Sequence, residues 1–211
     1  MLNAKNFDEL EKALGGYGIT MTSKVKQLHF GAVSKTISGI TAAMDMFPCL
    51  KGQIRKIDTW HNNNWPVSAS WDGTVYFNYN RYNKIMPIRE KKLNECFNGR
   101  WNHPINMGYD GLGAHEAGHM LIKAYIDKCY ANKSEDYRYQ VWNNSSVAKD
   151  ILNMICKQNN ASLYNLQKKM CRYADTNKSE CIAECICDFF TNGYKACELS
   201  QLVVKFFREE L

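Results

Sequence analysis

The stretch 113–121 reads Gly113-Ala114-His115-Glu116-Ala117-Gly118-His119-Met120-Leu121. The prediction of the fold begins with the motif in this stretch. His115 and His119 are four residues apart, and four residues turn a helix through about 400°, so their imidazoles lie about 40° apart on one face. Two neutral imidazoles on one face can bind a metal ion and leave positions for a third ligand and water. Glu116 is rotated by about 100° from His115, so it can take a proton from that water instead of binding the metal. This HExxH pattern predicts a helix that carries a metal site.

The residues around the motif favour a buried helix. Between positions 111 and 122 the only charged side chain is that of Glu116, which is typical of a helix inside a protein rather than on its surface. Gly118 is a poor helix former, so its place within the motif indicates that another part of the chain approaches closely there. The competing interpretation is a core helix with two incidental histidines and no metal.

A metal held by two imidazoles needs a third protein ligand. The other histidines lie in no metal-ligand spacing: His29, His61 and His103. Glu180, Glu184 and Asp188 recur every fourth residue and form an acidic stripe on a predicted helix that is otherwise apolar. Asn177 or Ser179 can cap the start of that helix and place Glu180 in its first turn. We expect this stripe to be related to the metal.

The cysteines suggest a reducing compartment. The chain has 9 Cys, none in a CxxC pair, and most lie in apolar stretches predicted to be helical. We therefore predict reduced thiols that pack as small hydrophobic side chains. Cys181, Cys185 and Cys187 surround the glutamates and could bind a soft metal, but no second pair of ligands accompanies them.

The surrounding segments predict an α+β fold. Apolar residues recur at spacings of four and three from Val33 to Phe47, which indicates a helix. The segment 67–80 reads as a hairpin, because Asp72-Gly73 favours a tight turn. After residue 111 the chain is predicted to be almost wholly helical. The expected helices lie at about 112–130, 145–157, 163–172, 179–191 and 196–209, with a short one earlier at 88–97.

We expect one domain over residues 1–211. It would consist of an N-terminal arm (1–30), an α+β lobe with a small twisted sheet (31–111) and a helical lobe that carries the metal ligands (112–211). The site would lie in the cleft between the two lobes.

Composition excludes several classes of protein. Lys and Arg total 27 against 21 Asp and Glu, a net charge of +6, and the basic residues are scattered, with 51–56 the nearest approach to a cluster. We therefore expect no nucleic-acid partner. No run reaches the roughly 18 apolar residues of a membrane span, and residues 1–16 read as an amphipathic helix rather than a signal peptide. A cytoplasmic protein without a membrane partner is expected, with delivery by another route or association with a virion as the alternative.

The motifs resemble those of a known group of enzymes. The stretch 115–119 followed by a glutamate helix resembles the gluzincin zinc peptidases. The closer similarity is to the catalytic domain of anthrax lethal factor and its relatives, which include a clostridial proline-specific endopeptidase and proteins encoded by phages and mobile elements. Their C-terminal signature is a tyrosine, six residues, and Glu-x-x-Ala-Glu-x-Phe. Here Tyr173 precedes Glu180, Ala183-Glu184 follow, and Ile186 replaces the phenylalanine. The specific resemblance covers residues 111–124 and 173–190.

This resemblance implies a zincin-like fold and an endopeptidase with one Zn²⁺ per chain. The metal ligands would be His115, His119 and Glu180. Glu116 would activate the attacking water, and Tyr173 would donate a hydrogen bond to the oxyanion of the tetrahedral intermediate. Glu184 would accept from the N–H of a liganding histidine. The long interval before Glu180 would form an insertion that shapes one wall of the cleft.

A peptide or protein substrate would add its backbone to an exposed strand edge, predicted at 74–80. The residues expected to contact it are Trp71, Thr74, Val75, Tyr76, Phe77 and Asn78. Side-chain preference would come from residues that line the cleft, with packing in the core as the competing interpretation. The candidates are Trp71, Tyr76, Met107 and Tyr109. The sequence favours no particular oligomeric state.

Two other functions compete with hydrolysis. One is a non-catalytic structural protein of a virion or mobile element that keeps a zinc-stabilised fold. Glu116 and Tyr173 favour turnover over this alternative, because neither is needed merely to hold zinc. The other is a basic nucleic-acid-binding module, for which the short run 51–56 is the nearest feature.

Overall fold

The computed structural model describes residues 4–61, 65–83, 92, 95–97 and 99–211, and these form a mostly helical α+β structure. The helices are α1 (Phe7–Gly15), α2 (Phe30–Met46), α3 (Tyr79–Tyr82), α4 (Tyr109–Cys129), α5 (Glu135–Asn143), α6 (Ser146–Gln158), α7 (Leu163–Gln167), α8 (Lys178–Asn192) and α9 (Glu198–Glu210). The strands are β1 (Thr20–Met21), β2 (Lys56–Trp60), β3 (Val67–Ala69), β4 (Thr74–Asn78), β5 (Cys96–Phe97) and β6 (Arg100–Trp101). The strands all precede α4, so the predicted α+β class is confirmed for the described residues.

Four strands form one open sheet in the order β1-β2-β4-β3. The pairs β1–β2 and β2–β4 are parallel, whereas β3 and β4 are the antiparallel arms of the predicted hairpin, with Ala69 opposite Val75. Gly73 in the turn between them has a φ of 82°, a conformation that favours glycine. The hairpin is therefore confirmed. β5 and β6 form a separate two-stranded ribbon.

The prediction that 74–80 is an exposed strand edge is wrong. β4 lies between β2 and β3, so both of its edges are already paired, and α3 begins at Tyr79. The outer strand on this side of the sheet is β3. A hairpin pattern cannot show which of its two strands pairs with a third strand, because that choice depends on where the distant strand β2 packs.

The helix α4 packs against both α2 and α8, and glycines permit both contacts. A Cβ atom at Gly113 of α4 would lie 1.9 Å from the carbonyl oxygen of Thr36 in α2. At Gly118 it would lie 2.8 Å from the Cα atom of Ala183 in α8. Neither distance leaves room for a side chain, since packed carbon atoms need about 3.5–4.0 Å. The predicted close approach at Gly118 is therefore confirmed.

The helices predicted after residue 111 are present with two differences. The segment predicted at 163–172 is helical only as far as Gln167, and Tyr173–Asp175 form a separate 3₁₀ turn. The second difference is α5, an additional helix that the sequence does not indicate. This helix buries no residue and so carries no apolar stripe. The short helix predicted at 88–97 lies largely outside the described residues, and its described end, Cys96–Phe97, is strand β5.

One hydrophobic core joins the N-terminal and C-terminal parts, from Leu10 of α1 to Phe207 of α9. The cysteines with described side chains are all free. Several of them are buried in the core: Cys156, Cys171, Cys181, Cys185 and Cys187. None of the described helices has the length and apolar character that crossing a bilayer requires.

Candidate metal centre

The helix α4 brings the two histidines of the motif together. It runs unbroken through the motif, so His115 and His119 lie one turn apart, with their Nε2 atoms 3.2 Å from each other. Both side chains are largely shielded from solvent, with exposed fractions of 8% and 14%. The two nitrogens therefore face one point, as the helical spacing predicts.

Glu180 reaches the same point from α8. Asn177 caps this helix, because its side chain accepts a hydrogen bond from the Glu180 N–H at 2.9 Å. Of the two caps that the sequence allows, the structure uses Asn177. The Oε2 atom of Glu180 lies 3.0 Å from Nε2 of His115 and 3.5 Å from Nε2 of His119. The structure thus brings the three predicted ligands together.

The three atoms fit the geometry of a bound metal ion. In tetrahedral coordination with bonds of about 2.0–2.1 Å, neighbouring ligand atoms are about 3.3–3.4 Å apart. The separations of 3.0, 3.2 and 3.5 Å in this group bracket that value. Glu180 Oε2 is also buried without an aligned hydrogen bond to the described residues, which is costly for a carboxylate oxygen. His115, His119 and Glu180 could therefore hold one metal ion.

The electrostatics of the group favour a cation. Burial by itself would raise the pKa of Glu180, but the imidazoles of His115 and His119 hold it well below its usual range. Burial likewise opposes a charge on His115, yet Glu184 and Glu180 raise the pKa of this imidazole. Without a metal, a proton therefore supplies the positive charge between these groups. A bound dication would replace that proton, which makes metal binding dependent on pH.

Glu184 lies behind His115 and is fully buried. Its Oε1 atom is 2.9 Å from Nδ1 of His115, although that nitrogen lacks the alignment of a hydrogen bond. The same oxygen lies 2.9 Å from Nδ1 of His103, and Oε2 accepts from the Cys171 thiol at 3.2 Å. Burial opposes the charge of Glu184, but His103 and His115 lower its pKa to about 2. The carboxylate is therefore ionised and can orient the His115 ring.

Sequence reasoning missed His103. This residue lies before α4 and belongs to no metal-ligand spacing, so no local signal marks it. Its position depends on pairing between two distant segments: the N–H groups of Arg172 and Tyr173 donate to the carbonyl oxygens of Trp101 and Asn102 at 2.7 and 3.0 Å. This tertiary contact helps to bring His103 next to Glu184.

Tyr173 lies beside the histidines on a 3₁₀ turn. Its ring centroid is 6.0 Å from that of His115 and 5.1 Å from that of His103. Burial raises the pKa of Tyr173, and the negative charges of Glu180, Glu116 and Glu184 add to the effect. The phenol therefore keeps its proton and can act as a hydrogen-bond donor near the candidate metal.

Glu116 joins the motif to the edge of the sheet. Its side chain is buried, and its Oε2 atom accepts a hydrogen bond from the Ala69 N–H of β3 at 2.6 Å. Burial raises the pKa of Glu116. The carboxylate thus lies between the metal-binding group and β3 without being part of the three-residue group.

Asp188, the third member of the acidic stripe, serves a different contact. It accepts hydrogen bonds from the Ser200 hydroxyl at 2.7 Å and from the Cys197 N–H at 2.8 Å, so it fixes the start of α9. The expectation that the whole stripe relates to the metal is therefore wrong for this residue. The cysteines around the glutamates also lie outside the group of described residues that could hold a metal: Cys181, Cys185 and Cys187.

The residues predicted to contact a substrate are mostly packed inside the protein. The buried ones are Thr74, Val75, Phe77, Asn78, Met107 and Tyr109. Tyr76 stacks on Trp60 at 5.8 Å, and Trp71 lies in an aromatic cluster 5.7 Å from Trp142 with Lys123 over its ring. The competing interpretation, packing in the core, is correct for Met107 and Tyr109. Strand β3, rather than β4, borders the metal-binding group.

No protein-family model matches the chain, and comparisons with curated proteins and with solved structures give no significant match.

Proposed function

We propose that this protein is a zinc-dependent endopeptidase of the gluzincin type, with a zincin-like fold in which α4 is the active-site helix. The observation that carries the proposal is the convergence of His115, His119 and Glu180 on one point, with Glu116 beside it. Catalytic zinc sites commonly use two imidazoles and one carboxylate as protein ligands. These three ligands leave the fourth coordination position open for water or substrate. When bound, zinc polarises the scissile carbonyl and lowers the pKa of a water toward about 7.

Glu116 is the proposed general base. Its raised pKa moves it towards the range in which a carboxylate both accepts and releases a proton efficiently. It would take a proton from the attacking water and deliver it to the leaving amine. The hydrogen bond from Ala69 places the carboxylate at the edge of β3, where an added peptide backbone would lie.

Tyr173 and Glu184 support the reaction in different ways. The protonated phenol of Tyr173 would donate to the oxyanion that forms from the scissile carbonyl. Glu184 would keep Nδ1 of His115 protonated, so that Nε2 has its lone pair free for the metal. The substrate would extend β3, whose outer edge is free of any other described strand.

A structural role is the second candidate. The Glu116 carboxylate already accepts a short hydrogen bond from Ala69, which is also what a purely structural glutamate would do. A virion or mobile-element protein that holds zinc without turnover would keep this contact together with the three ligands. Metal content alone therefore cannot distinguish the two functions.

A peptide-library digest of wild type and Glu116→Gln separates them. We expect wild type to bind about one zinc per chain and cleave peptides, and Glu116→Gln to keep zinc and fold while losing cleavage. Glu209→Gln makes the same chemical change at an exposed position and should behave like wild type. Zinc in wild type without cleavage would support the structural role, and retained turnover in Glu116→Gln would show that another base acts.

A further inference from the structure

A pocket of about 210 Å³ opens beside the candidate metal ligands. Strand β3, His119 and Glu180 contribute to its lining. The other lining residues come from the junction between α5 and α6 and from the start of α8: Trp142, Asn143, Ser145, Asn177 and Ser179. A substrate strand added to β3 would therefore pass this pocket close to the bond that is cleaved.

The wall of the pocket can form hydrogen bonds. The Ser179 hydroxyl donates a hydrogen bond to the Ser145 hydroxyl oxygen at 2.9 Å, so the Ser145 O–H remains as a donor for a ligand. Asn143 adds an amide with both a donor and an acceptor. Ser145 has a φ of 58°, a strained conformation for a residue other than glycine, and such strain is concentrated at functional sites.

The size and charge of the pocket limit what it can bind. Its volume is below the range of about 300–1,000 Å³ that holds drug-sized ligands, so it suits a single side chain. Trp142 is held in place because its indole N–H donates to the carbonyl oxygen of His119 at 3.3 Å. Among the described residues that line the pocket there is no Lys or Arg. A bound dication would repel a cationic side chain, and an anionic one would meet no cationic side chain among the described residues of the lining and would lie beside the Glu180 carboxylate.

We propose that this pocket selects a substrate with a small, uncharged, hydrogen-bonding side chain, such as that of Ser, Thr or Asn, next to the scissile bond. The inference rests on the proposed function, since it assigns a specificity pocket to the same site. Substrate selectivity is thereby assigned to residues at the junction between α5 and α6 and in the first turn of α8. These residues take no part in the chemical step.

The test compares peptides that differ at one residue flanking the scissile bond, with Ser, Thr or Asn against Ala, Val or Leu. For each hydrogen bond between the pocket and the polar side chain, kcat/KM should be about 2- to 12-fold higher than for the apolar peptide. Asn143→Leu, and Ser145→Gly, which removes the free hydroxyl at a φ that glycine favours, should reduce this preference to less than about twofold with zinc content unchanged. Ser162→Ala, at an exposed serine outside the pocket, should keep it. Calorimetry with zinc-loaded Glu116→Gln should give the same order of peptide affinities.

Each outcome bears on one of the two proposals. Cleavage without a preference for polar side chains, or a preference that both variants retain, overturns the specificity pocket and leaves the proposed function intact. A zinc-loaded wild type that cleaves no peptide of the library overturns the proposed function and this inference with it. Two variants are needed because Asn143→Leu alone could disturb the junction between α5 and α6.

Discussion

Glu184 is a fully buried carboxylate whose Oε1 atom lies 2.9 Å from the nitrogens of two different imidazoles. A buried charge is costly unless it is paired, and here His103 and His115 provide that pairing. The arrangement favours one orientation of His115, because the ring cannot turn without losing its contact with the Glu184 carboxylate. Support of this kind behind a metal ligand affects metal affinity as well as stability.

Replacing Glu184 by Gln should therefore lower zinc affinity by about 10- to 100-fold, the range known for contacts behind metal ligands. Competition with a chelator of known affinity measures the change. Asp188→Asn is the matched control, since Asp188 is buried one turn further along α8 and holds the start of α9 instead of an imidazole. It should reduce stability without weakening zinc binding to the folded protein. Equal losses of affinity in both variants would contradict the role of Glu184.

Tyr173→Phe tests the proposed oxyanion donor. Removing the hydroxyl should lower kcat by about 10- to 1,000-fold, because one donor to the developing charge is lost, and zinc content should not change. Steady-state kinetics on a peptide found in the library digest measure the effect. Tyr194 is almost fully exposed, so Tyr194→Phe serves as a control with unchanged kcat. An unaltered kcat in Tyr173→Phe would assign oxyanion stabilisation to other groups.

At the scale of elements, the site depends on how closely α8 approaches α4. The Glu180 carboxylate reaches both imidazoles because Gly118 has no side chain, so α4 and α8 can approach each other closely at this position. On the other side of α4, Gly39 and Gly113 allow an equally close contact with α2. Small residues at these crossings therefore determine the position of the motif relative to both neighbours.

Gly118→Ala should destabilise the protein by about 1–3 kcal/mol, the usual cost of forcing extra atoms into a packed interior. The added Cβ atom would meet the Ala183 backbone at 2.8 Å, and backbone cannot move aside as a side chain can. Gly15→Ala is the control, because a Cβ atom there meets no atom of the described part of the chain within 4 Å. Urea unfolding in the presence of a chelator measures both variants and excludes effects on zinc. Equal stability of Gly118→Ala and wild type would contradict the close packing.

At the scale of the whole molecule, the candidate site joins parts that are far apart in the chain. The motif helix, the strand β3 and the helix α8 meet there, and the ribbon segment 100–102 holds the turn that carries Tyr173. Arg100 reinforces this contact through hydrogen bonds to the carbonyl oxygens of Met170 and Cys171 at 2.8 and 2.9 Å. A ligand that binds here should stabilise the folded chain as a unit, because an unfolded chain cannot assemble the site.

Zinc should therefore raise the melting temperature. At a free zinc concentration 100 times the Kd, the stabilisation is about 2.7 kcal/mol, which corresponds to about 5–10 °C for a chain of this size. Thermal unfolding over a zinc titration measures it. Glu180→Gln, which removes the ligand charge, should abolish most of the shift. A melting temperature that does not depend on zinc concentration in the wild type would contradict the metal site.

The amino-acid sequence by itself determined the local features: the two imidazoles on one face of a helix, the glutamates on a second helix, and the hairpin at Asp72-Gly73. These follow from the period of a helix and from turn chemistry, which act over a few residues. Only the tertiary structure decided that β3 rather than β4 is the edge strand, that His103 pairs with Glu184, and that Asp188 lies outside the site. Those outcomes depend on which distant segments pack together, and packing over long separations leaves no periodic signal in the chain.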